Sequence, residues 1–255
     1  MEELHQKPVS DSMTLEEGLL VMLSKLMEMT RLLSKAVVSE STAQMDQCDA
    51  LSKEVQAQET ILTGNLVSGN VRKDLLKGLL RFPYRLERIG DMLESILNCC
   101  REKERKGIPF SDKAHAELEQ LFAVLLDMMK NLRDAFRAPN RILLEAILAQ
   151  GNKLGQLVED FKLAHWERLE AGFCHVEASS MYRDILDSTK HANEYIQKIC
   201  ESLLDLGENR ELVNEMMRLS KESCTPGLQA RLGSVCEGGG SDAGEILDEK
   251  DRGHD

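Results

Sequence analysis

Apolar residues recur along most of this chain in steps of three and four, the spacing that gathers side chains on one face of an α-helix. Leu15, Leu19, Met22, Leu26, Met29, Leu33 and Ala36 form the first seam. Thr14 ahead of it, with Glu16 and Glu17 behind, makes a helix start in which a hydroxyl and two carboxylates meet the open amide groups. A second seam, Met45, Cys48, Leu51, Val55, Leu62 and Leu66, predicts a helix over 41–66, closed by Ser68-Gly69-Asn70. The third seam (Leu75, Leu79, Phe82, Leu86, Ile89, Leu93, Ile96, Cys100) predicts a helix over 71–106 that stops at Gly107-Ile108-Pro109. Pro83 lacks an amide hydrogen and is expected to kink it one turn before Glu87.

The plan then starts again. Ser111-Asp112 opens a helix with Leu118, Leu121, Leu125, Met128, Leu132 and Ala135 inward, and Ala138-Pro139-Asn140 ends it. A fifth helix over 141–171 turns Leu144, Ile147, Leu154, Leu157, Phe161 and Leu169 inward, and a link at Gly172 leads into a sixth over 176–206. The two runs are copies at an offset of one hundred residues: Leu86-Glu87-Arg88-Ile89-Gly90-Asp91 returns as Leu186-Asp187-Ser188-Thr189-Lys190-His191. Glu94, Ile96, Cys100 and Gly107 meet Glu194, Ile196, Cys200 and Gly207, while Leu26, Met29 and Leu32 meet Leu126, Met129 and Leu132. The expected fold is all-α, with two three-helix repeats over 14–107 and 108–207. Residues 1–13 read as a flexible start, and 208–255 as a short helix near 210–221 followed by a disordered Gly- and charge-rich tail.

Composition agrees with long helices: aromatics are 4% of the chain, charged residues 30%, and there is one Trp. The net charge of -12 argues against a nucleic-acid footprint, which needs clustered Lys and Arg. With no secretion signal and no apolar run of about 18 residues to span a bilayer, a cytoplasmic location is expected. The seven cysteines are odd in number and show no C-x-x-C spacing, so they read as packed thiols, Cys99 and Cys100 included.

The chemistry sits beside the third seam. Glu87, Asp91 and Glu94 are spaced by four and three, one position off the apolar stripe. Two carboxylates about 4 Å apart repel by roughly 4 kcal/mol at an effective dielectric near 20, so a desolvated pair needs a proton, an arginine or a cation. Oxygen clusters suit hard cations, and carboxylates on facing helices also hold iron or manganese. The plainer alternative is a solvated face on which Arg88 pairs with Asp91. In the second copy Asp184, Asp187, His191 and Glu194 share a stripe; imidazole favours iron, zinc or manganese over magnesium, while Lys190 adds an opposing charge. Asp46, Asp49 and Glu59 on the second helix offer outer ligands, and His165, near a helix end, reads as a hydrogen-bonded structural histidine.

Leu86-Glu87-Arg88-Ile89-Gly90-Asp91, followed by Glu94 and Ile96, resembles the signature of the PhoU family of phosphate-uptake regulators. In that family each of two repeats carries Glu or Asp, three residues, then Asp. The stretch from His165-Trp166-Glu167-Arg168-Leu169 to Cys174 resembles the one before the last helix in PhoU-type domains attached to sodium/phosphate cotransporters. The resemblance covers about residues 14–206. It implies metal on the acidic motifs, iron first, with zinc, manganese or magnesium as alternatives. It also implies contact with a phosphate transporter (a sodium/phosphate cotransporter or an ABC importer), in some systems with a sensor histidine kinase, and self-association as a homodimer. Membrane contact would come only through the transporter. By position, Glu87 and Asp91 are the ligands of the first half and Asp187 of the second, where His191 replaces the second acid.

Two other readings stand beside it. A ferritin-like di-iron enzyme needs two Glu-x-x-His pairs on bundle helices, whereas the sole such pair here is Glu2 and His5 in the loose start. With no phosphate-binding loop, nucleophile elbow or H-E-x-x-H helix either, no catalytic residue is expected. A metal-free helical adaptor that shares only the fold is the remaining alternative.

Overall fold

Thr14 opens α1 (Leu15–Ser39) with a reciprocal capping box: its amide donates to Glu17 Oε2 at 2.8 Å while its Oγ1 accepts from the Glu17 amide at 3.0 Å. The computed structural model of the chain describes residues 13–39, 41–69 and 71–208. Residues 1–12 of the flexible start expected over 1–13, the short helix near 210–221 and the tail beyond it lie outside the described residues. After α1 come α2 (Thr42–Ser68), α3 (Lys73–Leu79), α4 (Arg81–Lys106), α5 (Asp112–Arg137), α6 (Arg141–Glu170) and α7 (Val176–Glu208). The described residues contain no strand.

Helix ends follow their local chemistry. Ser111 Oγ accepts from the Ala114 amide at 3.2 Å and Asn140 Oδ1 from the Ile142 amide at 2.9 Å, which sets the starts of α5 and α6. Gly107, at φ 63, closes α4 by sending its amide to the Glu104 carbonyl and the Ile108 amide to the Lys103 carbonyl, a left-handed turn that disfavours a Cβ. The long third helix expected from the seam is two segments, α3 and α4, joined at Leu80. Pro83 has no amide to offer the carbonyl one turn back, at Leu79, so the ladder breaks there, earlier than the kink expected at Pro83 itself.

α1, α2 and α4 pack together in the first repeat and α5, α6 and α7 in the second, with α4 against α7 and α1 against α5 between them. The offset of one hundred residues exchanges α4 with α7 and α1 with α5, so each contact between repeats maps onto itself, as about an internal two-fold axis. One hydrophobic cluster runs through both repeats, including Leu26, Leu86, Ile96, Leu125, Met129, Leu186 and Ile196, all fully buried. Phe82 of α4 meets Phe136 of α5 edge-on, with ring centres 6.1 Å apart, and Arg85 of α4 donates to the Lys198 carbonyl and to Ser202 Oγ of α7.

The seams of α1, α4 and α5 are buried as expected. On α6 the inward face departs from the expected one: it runs through Leu154, Val158 and His165, while Leu157, Phe161 and Leu169 are half-buried at its edge. Cys48, Cys100 and Cys200 are buried, and burial pushes their thiols up to about 12, where they stay protonated.

Candidate functional site

The step of four then three on α4 places Glu87, Asp91 and Glu94 in a half-buried row facing α2. Arg88, one residue along, folds back over the first two. Its guanidinium lies 2.7 Å from Glu87 Oε2 and 2.7 Å from Asp91 Oδ2, and its plane sits 5.4 Å above the Tyr84 ring. Glu94 accepts from Ser52 Oγ of α2 at 2.8 Å. Burial raises the pKa of Glu87 against the opposing Arg88 bond, with the Asp91 and Glu59 charges adding to the rise. Burial likewise raises Asp91, with Glu94 adding and Arg88 opposing.

Glu59 is therefore the residue of α2 that Glu87 feels. Asp46 and Asp49, also named as outer ligands, instead pair with Arg101 at 3.3 and 3.6 Å, and Asp49 with Lys53. The second stripe is wetter. Asp184 and His191 are exposed, Glu194 is half-buried, and Asp187 is held by Lys162 of α6 at 2.5 Å. Burial opposes the charge on Lys162, yet the Asp187 and Glu159 carboxylates hold its pKa above the ordinary lysine value. Lys190 closes the chain onto Glu159 at 2.7 Å.

Each acidic motif thus carries its own counter-ion. In the first half the position where a cation would bridge Glu87 and Asp91 is filled by the Arg88 guanidinium; in the second Lys162 does the equivalent work for Asp187. Among the described residues no three His, Cys, Asp or Glu side chains converge to hold a metal ion. As arranged, the donors of the first motif fit a guanidinium, and a metal fits only if Arg88 leaves.

A polar centre that the seams did not reveal lies in the second repeat. Glu117 of α5, 2% exposed, accepts two bonds from Arg168 of α6, at 2.9 and 2.7 Å, and one from the Tyr182 hydroxyl of α7 at 2.5 Å. Burial and the Glu117 charge push the Tyr182 hydroxyl well above its ordinary range. Beside it His165 Nε2 lies 2.7 Å from Ser179 Oγ, as expected of a structural histidine, and the ring rests 4.7 Å from that of Tyr182. Glu117 falls on the buried face of α5, three residues after Ala114 and four before Leu121, and Arg168 and Tyr182 satisfy its carboxylate there.

Two coupled three-helix repeats with an acidic stripe on the last helix of each define an all-α tandem bundle. No family model and no curated protein matches the sequence. Solved structures do. The phosphate transport system regulatory protein PhoU from Streptococcus pneumoniae superposes with a TM-score of 0.67 at 17% identity, over 78% of this chain and 95% of that one. PhoU from Pseudomonas aeruginosa superposes with a TM-score of 0.68 at 13% identity, over 76% of this chain and 95% of that one. The chain has a PhoU-like fold. No described helix is long and apolar enough to cross a membrane.

Proposed function

We propose that the chain is a cytoplasmic PhoU-like regulator of phosphate transport and phosphate homeostasis that acts by protein contact and catalyses no reaction. The observation that carries this reading is a superposition spanning 95% of each of two PhoU chains. The E-x-x-x-D motif of α4 supports it. Its partners are a phosphate transporter, either a sodium/phosphate cotransporter or an ABC importer, and in a system that has one a sensor histidine kinase; the chain itself pairs as a homodimer. The acidic stripes of α4 and α7 supply the polar face for these contacts. Metal, iron first and otherwise zinc, manganese or magnesium, enters at Glu87 and Asp91 only in competition with Arg88.

The test is phosphate uptake in a strain that lacks this gene, under limiting and replete phosphate. Uptake should escape control under replete phosphate and return to control when the wild-type gene is restored. Uptake that is the same with and without the gene in both conditions overturns the reading.

A further inference from the structure

Large apolar side chains gather in the open at the end of the hairpin formed by α6 and α7. Leu163 and Trp166, one turn apart on α6, are exposed, while Phe173, on the loop after Gly172, and Val176, at the start of α7, are 78% and 76% exposed. Single exposed apolar residues are ordinary on a protein surface, but a group of them marks a contact site. Phe173 also forms the rim of a cavity of about 230 Å³ whose inner wall includes the buried Phe110, Ala178 and Tyr182. That volume is below the roughly 300–1,000 Å³ of sites that take drug-sized molecules and suits one apolar side chain.

The charges around this patch have one sign. Between Leu163 and Asp187 the exposed charged residues are Glu167, Glu170, Glu177 and Asp184, and none of the four is ion-paired among the described residues. The arginines of the same stretch are half-buried and engaged: Arg168 holds Glu117, and the Arg183 guanidinium lies 5.3 Å over the Trp166 ring. Charge then chooses among the possible occupants. A second copy seated on the same patch would bring like carboxylates face to face across a two-fold axis. An anionic bilayer would be repelled by the same groups. The chain beyond residue 221 carries more Asp and Glu than Lys and Arg, so it matches no better. A helix with one apolar stripe flanked by Lys or Arg fits both the surface and its charge.

We propose that the end of the hairpin formed by α6 and α7 docks a basic amphipathic helix of another protein. The apolar stripe of that helix covers Leu163, Trp166, Phe173 and Val176 and places one side chain in the cavity. Its cations meet the carboxylates of Glu167, Glu170, Glu177 and Asp184. The surface lies apart from the α4 motif and does not depend on the regulatory reading.

The full chain has a single Trp, Trp166, within the patch, so its fluorescence reports the contact. A Trp-free peptide of Leu and Lys, about 18 residues long with leucines at helical spacing, is titrated beside its scrambled form, a Leu and Glu counterpart, and phosphatidylcholine vesicles. The amphipathic basic peptide should shift Trp166 emission to the blue and saturate at one peptide per chain, at least about tenfold more tightly than either control peptide. Leu163→Ser combined with Phe173→Ser, at exposed positions outside the core, should weaken it by about tenfold. Glu170→Gln combined with Glu177→Gln should weaken it by about threefold, whereas Glu201→Gln combined with Asp205→Asn, the same charge removed near the other end of α7, should leave it unchanged. The proposal is overturned if the basic peptide does not saturate, if either control peptide binds as tightly, if the Leu163→Ser and Phe173→Ser variant keeps wild-type affinity, or if the two charge variants have equal effects. A Trp166 shift with the vesicles, or self-association of the chain that this serine variant abolishes, gives the patch to a bilayer or to a second copy and overturns it too.

Discussion

The first repeat is held by apolar interdigitation and keeps its carboxylates half-buried at the edge of the core; the second sets polar groups into the core itself. At equivalent positions Phe82, Ile89 and Leu93 of α4 face Tyr182, Thr189 and Asn193 of α7, and all six are buried. Tyr182 joins Glu117 and Arg168, so that α5, α6 and α7 are tied at one point, and Asn193 Nδ2 donates to the Gly151 carbonyl of α6 at 3.0 Å. An apolar face attracts a neighbour wherever it lands, whereas a bond to one atom tolerates little sliding. The comparison teaches that the same three-helix plan can be fixed by packing in one copy and by register-specific polar contacts in the other.

The two arginines give the sharpest contrast. Arg168→Met leaves the buried Glu117 carboxylate with only the Tyr182 hydroxyl and the Lys113 ammonium at 3.9 Å, and the loss of its main counter-ion should cost about 3 kcal/mol. Arg88→Ala, whose partners are half-exposed, should cost no more than about 1 kcal/mol. Thermal melts of the two variants measure the difference, and equal melting temperatures would break the comparison.

Glycines test it next. A Cβ on Gly151 would meet Asn193 Oδ1 at 2.7 Å and Gln197 Nε2 at 2.8 Å, so Gly151→Ala must displace the pin and should cost about 1–3 kcal/mol. A Cβ on Gly90 in α4 meets Leu26 and Val55 at an ordinary 3.5 Å, and Gly90→Ala should stabilise by up to about 1 kcal/mol through helix propensity. Denaturant midpoints of the pair should move in opposite directions.

Arg88→Ala carries a second expectation. With the guanidinium gone, Glu87 and Asp91 lose their internal cation, and the variant should take up more iron, zinc or manganese than the wild type in metal analysis by mass spectrometry. Unchanged metal content in both proteins removes metal from this motif.

The smallest effect is on pH. Burial raises Glu87 and Asp91, so the folded state binds their protons more tightly than the unfolded state does. Their ionisation therefore subtracts stability at neutral pH, and the loss is recovered as pH falls through their folded values to the ordinary carboxylate range. Glu87→Gln keeps an acceptor for Arg88 without the charge. It should gain stability over the wild type at pH 7, and the gain should vanish in acid; a difference that does not change with pH counts against it.

Much of this was legible in the sequence. The seams of α1, α4 and α5 define their buried faces because a helix with one apolar stripe has one way to dry it. The offset of one hundred residues foretold the correspondence of α4 with α7. Arg88 beside Asp91 was visible as a pair at i+3, since both lie on one helix. What escaped was what depends on a neighbouring helix. Glu117 sits at a seam position of α5, but its charge makes sense there only with Arg168 opposite; Lys162 reads as a surface lysine until Asp187 meets it, and the α6 face differs from the expected one because it ends on a polar His165. Asp46 and Asp49 pair with Arg101 rather than with the Glu87–Asp91 motif, a matter of register between α2 and α4 that one stripe does not fix.

The contact of α4 with α7 has the form of a self-complementary dimer interface enclosed within one chain. In a dimer of identical half-length subunits, every substitution there would strike both sides at once, and an unpaired change would be felt twice. Once the halves are covalently joined, each side varies alone. Arg85 shows the result: it reaches Lys198 and Ser202, while the residue in its place on α7 is Ile185, so this clasp is made on one side of the axis and not the other. Within one chain the first copy can carry the acidic motif on α4 while the second carries a polar core around Tyr182 and Asn193.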